Sequence, residues 1–451
     1  MTAAMLSSCF GGGGKNGSGA TAGEGGGTSP ESGITLTIAV ERNEGFFDTL
    51  KQKFEASHPG VTVNFKEYIA TKLDKGAAGA MKQAQRDTEK FVSTITTELA
   101  SGHAPDLLVV NILPYKKYAD KHLLADISKL MADDSSFDSS QYYTNIFDTM
   151  KYKGGVYAIP TSVQFTNLWL GDTSLLGDAH IDDNAWTWQD FAEIAKPRIP
   201  QGGTALGGTP KEFLLSTMLT PGLEQFVDPE KKKAAFDSPG FKNLLTQAKT
   251  LLDEGIVSES FEELVTRGKD KGMSLFEYVG FRYLDELIFD PLMMAGGKGA
   301  IFRAPSVTPN GGYSYRSNLT LAINEKSKHK QMAWEFVKFV LSEEIQGFEG
   351  KGGMRGMPVR KATFRHALEL FKEPPDDLKG PDGKPIAVPP LTPERMDEIE
   401  SYMTGIRTMQ ETDDKIFNLI ETESASFLSS RKSVDEVAKS IQSKVETYLN
   451  E

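Results

Sequence analysis

The apolar positions of residues 34–110 change period four times. Ile34–Val40 alternates and is rich in β-branched residues, which predicts a strand. Phe47, Leu50, Lys51 and Phe54 recur at helical spacing within 46–57, and His58-Pro59-Gly60 ends that run. Val61–Phe65 reads as a second strand. Residues 72–101 read as a long helix stopped at Gly102, and Leu107–Val110 as a short buried strand. The order β-α-β-α-β implies a parallel sheet with helices on its faces.

Further along, Val156–Ile159 and Thr166–Leu170 are strand-like, and Trp188–Lys196 is helical. Phe241–Glu254 is amphipathic with Gly255 as its stop. Asn318–Ile323 reads as a strand and Gln331–Leu341 as a helix. The last third is mainly helical. Thr392 caps a helix whose first position is Pro393. Ser433-Val434-Asp435-Glu436 is a capping box. Val434, Val437, Ile441, Val445 and Leu449 then form one stripe, expected to pack on the body. Residues 372–391 are rich in Pro and Gly and read as a loop. No internal repeat is visible.

Composition narrows the function classes. The chain has 451 residues, 39% hydrophobic, which exceeds what one core organises and predicts about two lobes. Its net charge of −12 argues against nucleic acid, which needs clustered Lys and Arg. The acidic balance fits an exported monomer. No apolar stretch reaches the ~20 residues of a spanning helix.

The lone cysteine, Cys9, follows Leu6-Ser7-Ser8. That local sequence resembles a bacterial lipobox, in which the cysteine thiol is lipidated and becomes the mature terminus. Residues 10–33 hold 11 glycines among small residues. Such a coil spans roughly 25–30 Å r.m.s., a suitable tether between a membrane and a globular body. Residues 1–8 lack the basic and apolar regions of a signal peptide, so an upstream start is expected. The glycine run is no phosphate loop, because Gly14-Lys15 is followed by Asn16 and no strand precedes it.

Seven segments then occur in a family order. They are Ile34–Val40 with Phe46–Ser57 and Pro59–Val63; Ser101–Asp106 with Leu107–Val110; Gly155–Pro160; Trp186–Phe191; Phe236–Pro239; Ala333–Phe336 through Gln346; and Gly356–Arg360. On these the chain resembles family 1 extracellular solute-binding proteins, the group that includes maltose-binding proteins. The likeness covers about residues 34–365. Residues 66–101 are longer than the pattern, and 258–298 depart from it.

The resemblance implies an α/β chain with the two-lobe, type II periplasmic-binding-protein fold. Its mixed, mostly parallel sheets would carry helices on both faces, with a helical C-terminus. One lobe would hold 34–156 and 300–341, the other 157–299 and 342–451. The chain would cross near Tyr157–Pro160, return near Ala300 and leave again near Leu341. A sugar or oligosaccharide would sit between the lobes and pass to an ABC permease. The membrane partner would be reached through the lipid on Cys9, at the outer face of the cell membrane. No cofactor is implied.

Sugar binding needs aromatic rings for C–H faces and planar polar groups for hydroxyls. Glu41, Arg42 and Asn43 follow the first strand and could bind hydroxyls or form a solvated turn. Asn111 and Tyr115 follow the third strand. Thr161 and Gln164 follow the crossover. Trp169 could stack or sit in the core, and Trp186 stands ahead of a helix; Trp188 and Trp334 read as packing. Tyr278 and Arg282 lie one helical turn apart, so a helix would put them on one face. Tyr313, Tyr315 and Arg316 precede a strand in a Gly-rich loop and are expected together in the cleft, as is Arg355.

Enzyme chemistry finds little support. The six histidines make no metal-spaced pair. Doublets such as Asp133-Asp134, Asp182-Asp183 and Asp413-Asp414 could cleave glycosidic bonds but read as solvated. Tyr142-Tyr143 is a ferric-receptor-like pair, though a helix shared with Phe147 would pack it. A metal, polyamine or peptide ligand in the same fold stays open.

Overall fold

The structure is a computed structural model. It describes residues 33–43, 45–69, 77–258, 260, 263, 273–307, 311–347, 355–373, 379, 383, 385, 388–410 and 413–450. Cys9 and its glycine tether lie outside the described residues, as does most of 374–387.

The chain opens with strand β1 (Ile34–Val40), helix α1 (Gly45–Ser57), β2 (Val61–Glu67), α2 (Ala77–Ser101), β3 (Leu107–Val109), α3 (Tyr115–Asp120) and α4 (Thr144–Asp148). It continues through β4 (Ile159–Pro160), β5 (Ser162–Phe165), β6 (Leu168–Asp172), α5 (Trp188–Ala195), β7 (Thr204–Gly207), α6 (Pro239–Asp253), β8 (Ser274–Tyr278), α7 (Leu284–Met293) and β9 (Gly299–Arg303). The last part holds β10 (Tyr313–Arg316), β11 (Thr320–Ile323), α8 (Lys330–Val340), β12 (Met357–Pro358), α9 (Lys361–Leu370), α10 (Pro393–Thr404), β13 (Ile406–Met409), α11 (Asp414–Leu428) and α12 (Val434–Asn450).

Local chemistry explains the early elements. Leu36, Ile38 and Val40 are buried along one side of β1, as its alternation requires. Phe91, Ile95 and Leu99, four residues apart, bury one stripe of α2. Gly102 ends that helix at φ +77°, a left-handed turn in which a side chain would be strained. The Asp106 carboxylate accepts from Thr37 N–H at 2.9 Å and from Ser327 Oγ at 2.6 Å, pinning the entry to β3.

Three sheets of four or five strands result, beside two short two-stranded ones. The first has the order β2-β1-β3-β11-β4, with β1 parallel to β2 and β3, and β11 antiparallel to β3 and β4. The second has the order β9-β6-β8-β7; only β7 and β8 pair in parallel. The third, β12-β5-β10-β13, joins strands from four distant parts of the chain.

Two apolar cores match this division. One surrounds the first and third sheets and takes in α8, α9, α10 and part of α7. The other packs the second sheet against α5, α6, α11 and α12. Trp169 sits at its centre, fully buried, with the Trp186, Trp188, Phe191 and Phe276 rings 5.5–6.1 Å away. The stripe Val437, Ile441, Val445 and Leu449 faces this core, as its spacing predicted. The caps at Thr392 and Ser433 are present too: Thr392 Oγ1 accepts from Arg395 N–H, and Ser433 and Glu436 exchange bonds.

Several expectations need correction. The chain returns to the first sheet through β10, not near Ala300, because β9 is held to β6 along its whole length. The strand expected from Asn318 begins at Thr320, since Asn318 spans a link between two sheets. Tyr142 and Tyr143 are not inside a helix but flank its start, with Tyr142 Oη donating to Leu341 C=O at 3.3 Å and Tyr143 Oη to Glu400 at 2.9 Å. Among the described residues, no helix is long and apolar enough to cross a membrane.

Asp134 ties the first core together from its edge. Lys338 Nζ lies 2.6 Å from its carboxylate, Ser136 donates at 2.6 Å and the Trp334 indole at 2.9 Å. The Lys338 hydrogen bond, then those of Ser136 and Trp334, hold the Asp134 pKa well below the ordinary carboxylate range. A depressed folded-state pKa gives stability that is complete above the unfolded value of about 3.9 and is lost as pH falls below it. Asp134→Asn should therefore lower Tm at pH 7, and the gap between variant and parent should narrow progressively as pH falls below about 4. Calorimetric scans from pH 2 to 8 (about six steps) check this; a pH-independent gap would contradict it.

Candidate functional site

The third sheet sorts its side chains by alternation. β5 pairs with β10 in antiparallel register, Phe165 opposite Tyr315 and Gln164 opposite Arg316. Residues two apart share a face. One face therefore carries Val163, Phe165, Tyr313 and Tyr315, and the other Ser162, Gln164 and Arg316.

The first face is packed. Tyr315 is fully buried; its hydroxyl meets Thr149 Oγ1 at 2.9 Å and donates to Ile146 C=O at 3.3 Å. The Tyr313 ring lies 5.3 Å from Tyr402 and 6.0 Å from Phe165. Burial raises the Tyr313 phenol pKa, with Asp183 adding to the rise. The expected trio of Tyr313, Tyr315 and Arg316 is thus split, because an odd step along a strand reverses direction. They form no Gly-rich loop but a strand.

The second face is polar and opens to solvent. Gln164 is half-buried and Arg316 exposed. Tyr278, at the end of β8, adjoins them: burial raises its pKa and the Arg316 charge opposes the rise. Tyr278 and Arg282 do not share a helix face, since Ser274–Tyr278 is a strand and Arg282 lies in the loop after it. That loop is tied to β5, whose Phe165 N–H donates to Phe281 C=O at 2.8 Å.

Asn111 continues this strip onto the first sheet. Its Nδ2 donates to Asn318 C=O at 2.5 Å and its Oδ1 accepts from Thr320 N–H at 2.9 Å, so the amide replaces a missing strand residue. Asn318 Nδ2 in turn donates to Arg355 C=O at 3.0 Å. Asn111, Asn318 and Arg355 are all exposed. Beneath them Ser162, fully buried, accepts from Asn318 N–H at 3.3 Å and meets Ser317 Oγ at 3.4 Å.

The structure therefore brings Asn111, Gln164, Arg316 and Arg355 to one strip, with Tyr278, Asn318 and Ser162. Sequence reasoning missed Asn318 and Ser162. Neither had a signal in the local pattern, where Asn318 reads as the first residue of a strand.

The remaining candidates make other contacts. The turn after β1 anchors rather than projects: Glu41 C=O accepts from Ile69 N–H at 2.9 Å, and Arg42 donates to Ile69 C=O at 3.3 Å and lies 3.9 Å from Asp87 of α2. Asn43 beside it is exposed. Tyr115 is buried at the start of α3. Thr161, fully buried, donates to Leu319 C=O at 2.8 Å. Trp169 and Trp186 belong to the second core, Trp169 with no exposed surface; the Trp186 indole donates to Arg303 C=O at 2.9 Å.

A surface hollow of about 280 Å³ lies between His180, Asp182, Trp186, Asp190 and Glu193. Every lining residue falls within 180–194, so no second sheet faces it. Among the described residues, no group of three or more His, Cys, Asp or Glu is placed to hold a metal ion.

The face assignment is testable. Tyr315→Phe should cost about 1 kcal/mol of stability for its lost buried hydrogen bonds. Arg316→Gln should change stability by less than about 0.5 kcal/mol. Urea denaturation measures both; equal losses would place Arg316 on the packed face.

Comparison with known proteins follows the same outline. The family model "bacterial extracellular solute-binding protein" matches residues 41–347. A comparison with curated protein sequences gave no match. Among solved structures, the sugar-binding protein MalE from Xanthomonas citri superposes with a TM-score of 0.60 at 17% identity, covering 92% of this chain and 98% of that one. An ABC substrate-binding protein from Listeria monocytogenes in complex with cycloalternan gives 0.57 at 16%, with 92% and 98% covered. A cyclic alpha-maltosyl-1,6-maltose binding protein from Arthrobacter globiformis gives 0.58 at 15%, with 92% and 99% covered. At these identities the likeness is one of fold.

Proposed function

The chain belongs to the bacterial extracellular solute-binding proteins, and from that premise we propose that it captures a sugar or oligosaccharide outside the cytoplasm and delivers it to an ABC importer. The observation that carries the ligand class is the polar strip on the hinge sheet. It offers planar amides at Asn111, Gln164 and Asn318, a guanidinium at Arg316 and an aromatic at Tyr278. These are the groups that hydroxyl-rich rings require. Sugar-related ligands named for three structures of the same fold support the reading.

The first and second sheets serve as the two lobes, and the third sheet as the hinge. Lobe closure over the strip buries the ligand, and the closed shape docks on the permease. No bond is made or broken, so capture and release are the whole activity. The protein acts as a monomer. Its Cys9 thiol carries a lipid in the outer leaflet, with residues 10–33 as the tether.

Two measurements check this. A saccharide at 100 times its Kd should add about 2.7 kcal/mol to stability in a thermal-shift screen of mono- and oligosaccharides, metals and polyamines. Shifts from ferric ion or polyamines alone would sink the carbohydrate reading. Expressed behind a lipoprotein signal sequence, the parent should take up labelled palmitate and sediment with membranes, whereas Cys9→Ser should do neither; label on the variant would refute the anchor.

A further inference from the structure

The hinge sheet carries a charge at odds with the chain. The protein as a whole is −12, yet the strands Ser162–Phe165, Tyr313–Arg316, Met357–Pro358 and Ile406–Met409 contain no carboxylate and two guanidiniums. Arg407 is occupied: its Nη1 donates to the Thr404 and Ile406 carbonyls, each at 2.8 Å. Arg316 is not. Among the described residues its side chain makes no ion pair and no hydrogen bond. The Gln164 amide lies across the strand from it and the Tyr278 phenol beside it, and neither carries a negative charge.

Other arginines in this acidic chain find carboxylates. Arg42 reaches Asp87, Arg198 reaches Asp178, Arg282 reaches Glu286 and Arg395 reaches Glu398. Among the described residues Arg316 remains without a carboxylate on the face where the ligand is to be enclosed. Closure over that face strips water from the guanidinium. A buried charge without a counter-charge is strongly unfavourable. Hydroxyls of a neutral sugar can accept from the guanidinium but cannot neutralise it. A carboxylate or sulfate can do both, because the planar fork matches two oxygens of such a group.

We propose that the captured saccharide is anionic, a uronate or a sulfated sugar whose acidic group seats on Arg316. Gln164 and Tyr278 then hold the ring beside it. This rests on the saccharide reading above and narrows it.

Isothermal titration of the full chain separates the two claims. The probes are a panel of neutral oligosaccharides with their size-matched uronate and sulfated counterparts. An acidic member should bind at least about 10-fold tighter than its neutral counterpart. That advantage should shrink as salt rises from roughly 0.01 M to 0.15 M. Arg316→Gln should abolish the advantage while leaving the urea midpoint unchanged, and Arg316→Lys should keep part of it. Preference for the uronate or for the sulfate identifies the acidic group, and either supports the inference. If neutral members bind as tightly as acidic ones, or Arg316→Gln keeps the preference, the anionic inference falls and the saccharide reading stands. If no saccharide binds in any form, both fall.

Discussion

The antiparallel pairing of β5 with β10 is the constraint on which the site depends. Gln164 opposite Arg316 and Phe165 opposite Tyr315 fix which side chains go to which face. A slip of one residue would send Arg316 into the aromatic packing and Tyr315 into solvent. The buried face guards against that slip. Tyr315, Phe165 and Tyr313 interlock there with Tyr402 and α4, so the register is enforced by packing on the buried face.

The same sheet also couples the two cores. β5 leads from the first sheet to the second, β10 leads back, and β12 leads out again. Their polar ends are joined by short bonds rather than by apolar mass. Asn111 bridges Asn318 and Thr320, and Asn318 reaches Arg355, so three chain segments meet through two amides. The large aromatic packing sits deeper, at Trp169 in one core and beneath Tyr315 in the other.

How much was legible in the sequence depended on the distance over which each decision is made. The opening β-α-β-α-β run, the stop at Gly102, the cap at Thr392 and the stripe of α12 all depend on neighbours within a few residues. Their periods and caps could be read directly. The Trp residues were ambiguous, because a large ring suits a cleft and a core equally and only the packing around it decides.

Local pattern alone determined the opening strands and helices, and that the chain needs more than one core. Tertiary structure decided which face each residue of the third sheet occupies. Tyr313, Tyr315 and Arg316 are near neighbours in sequence, yet the pleat sends the tyrosines one way and the arginine the other. Asn111 and Asn318 are 207 positions apart and meet through one side-chain bond. Periodicity reports that a strand has two faces. Only the partner strand, brought from far along the chain, determines which of them is buried.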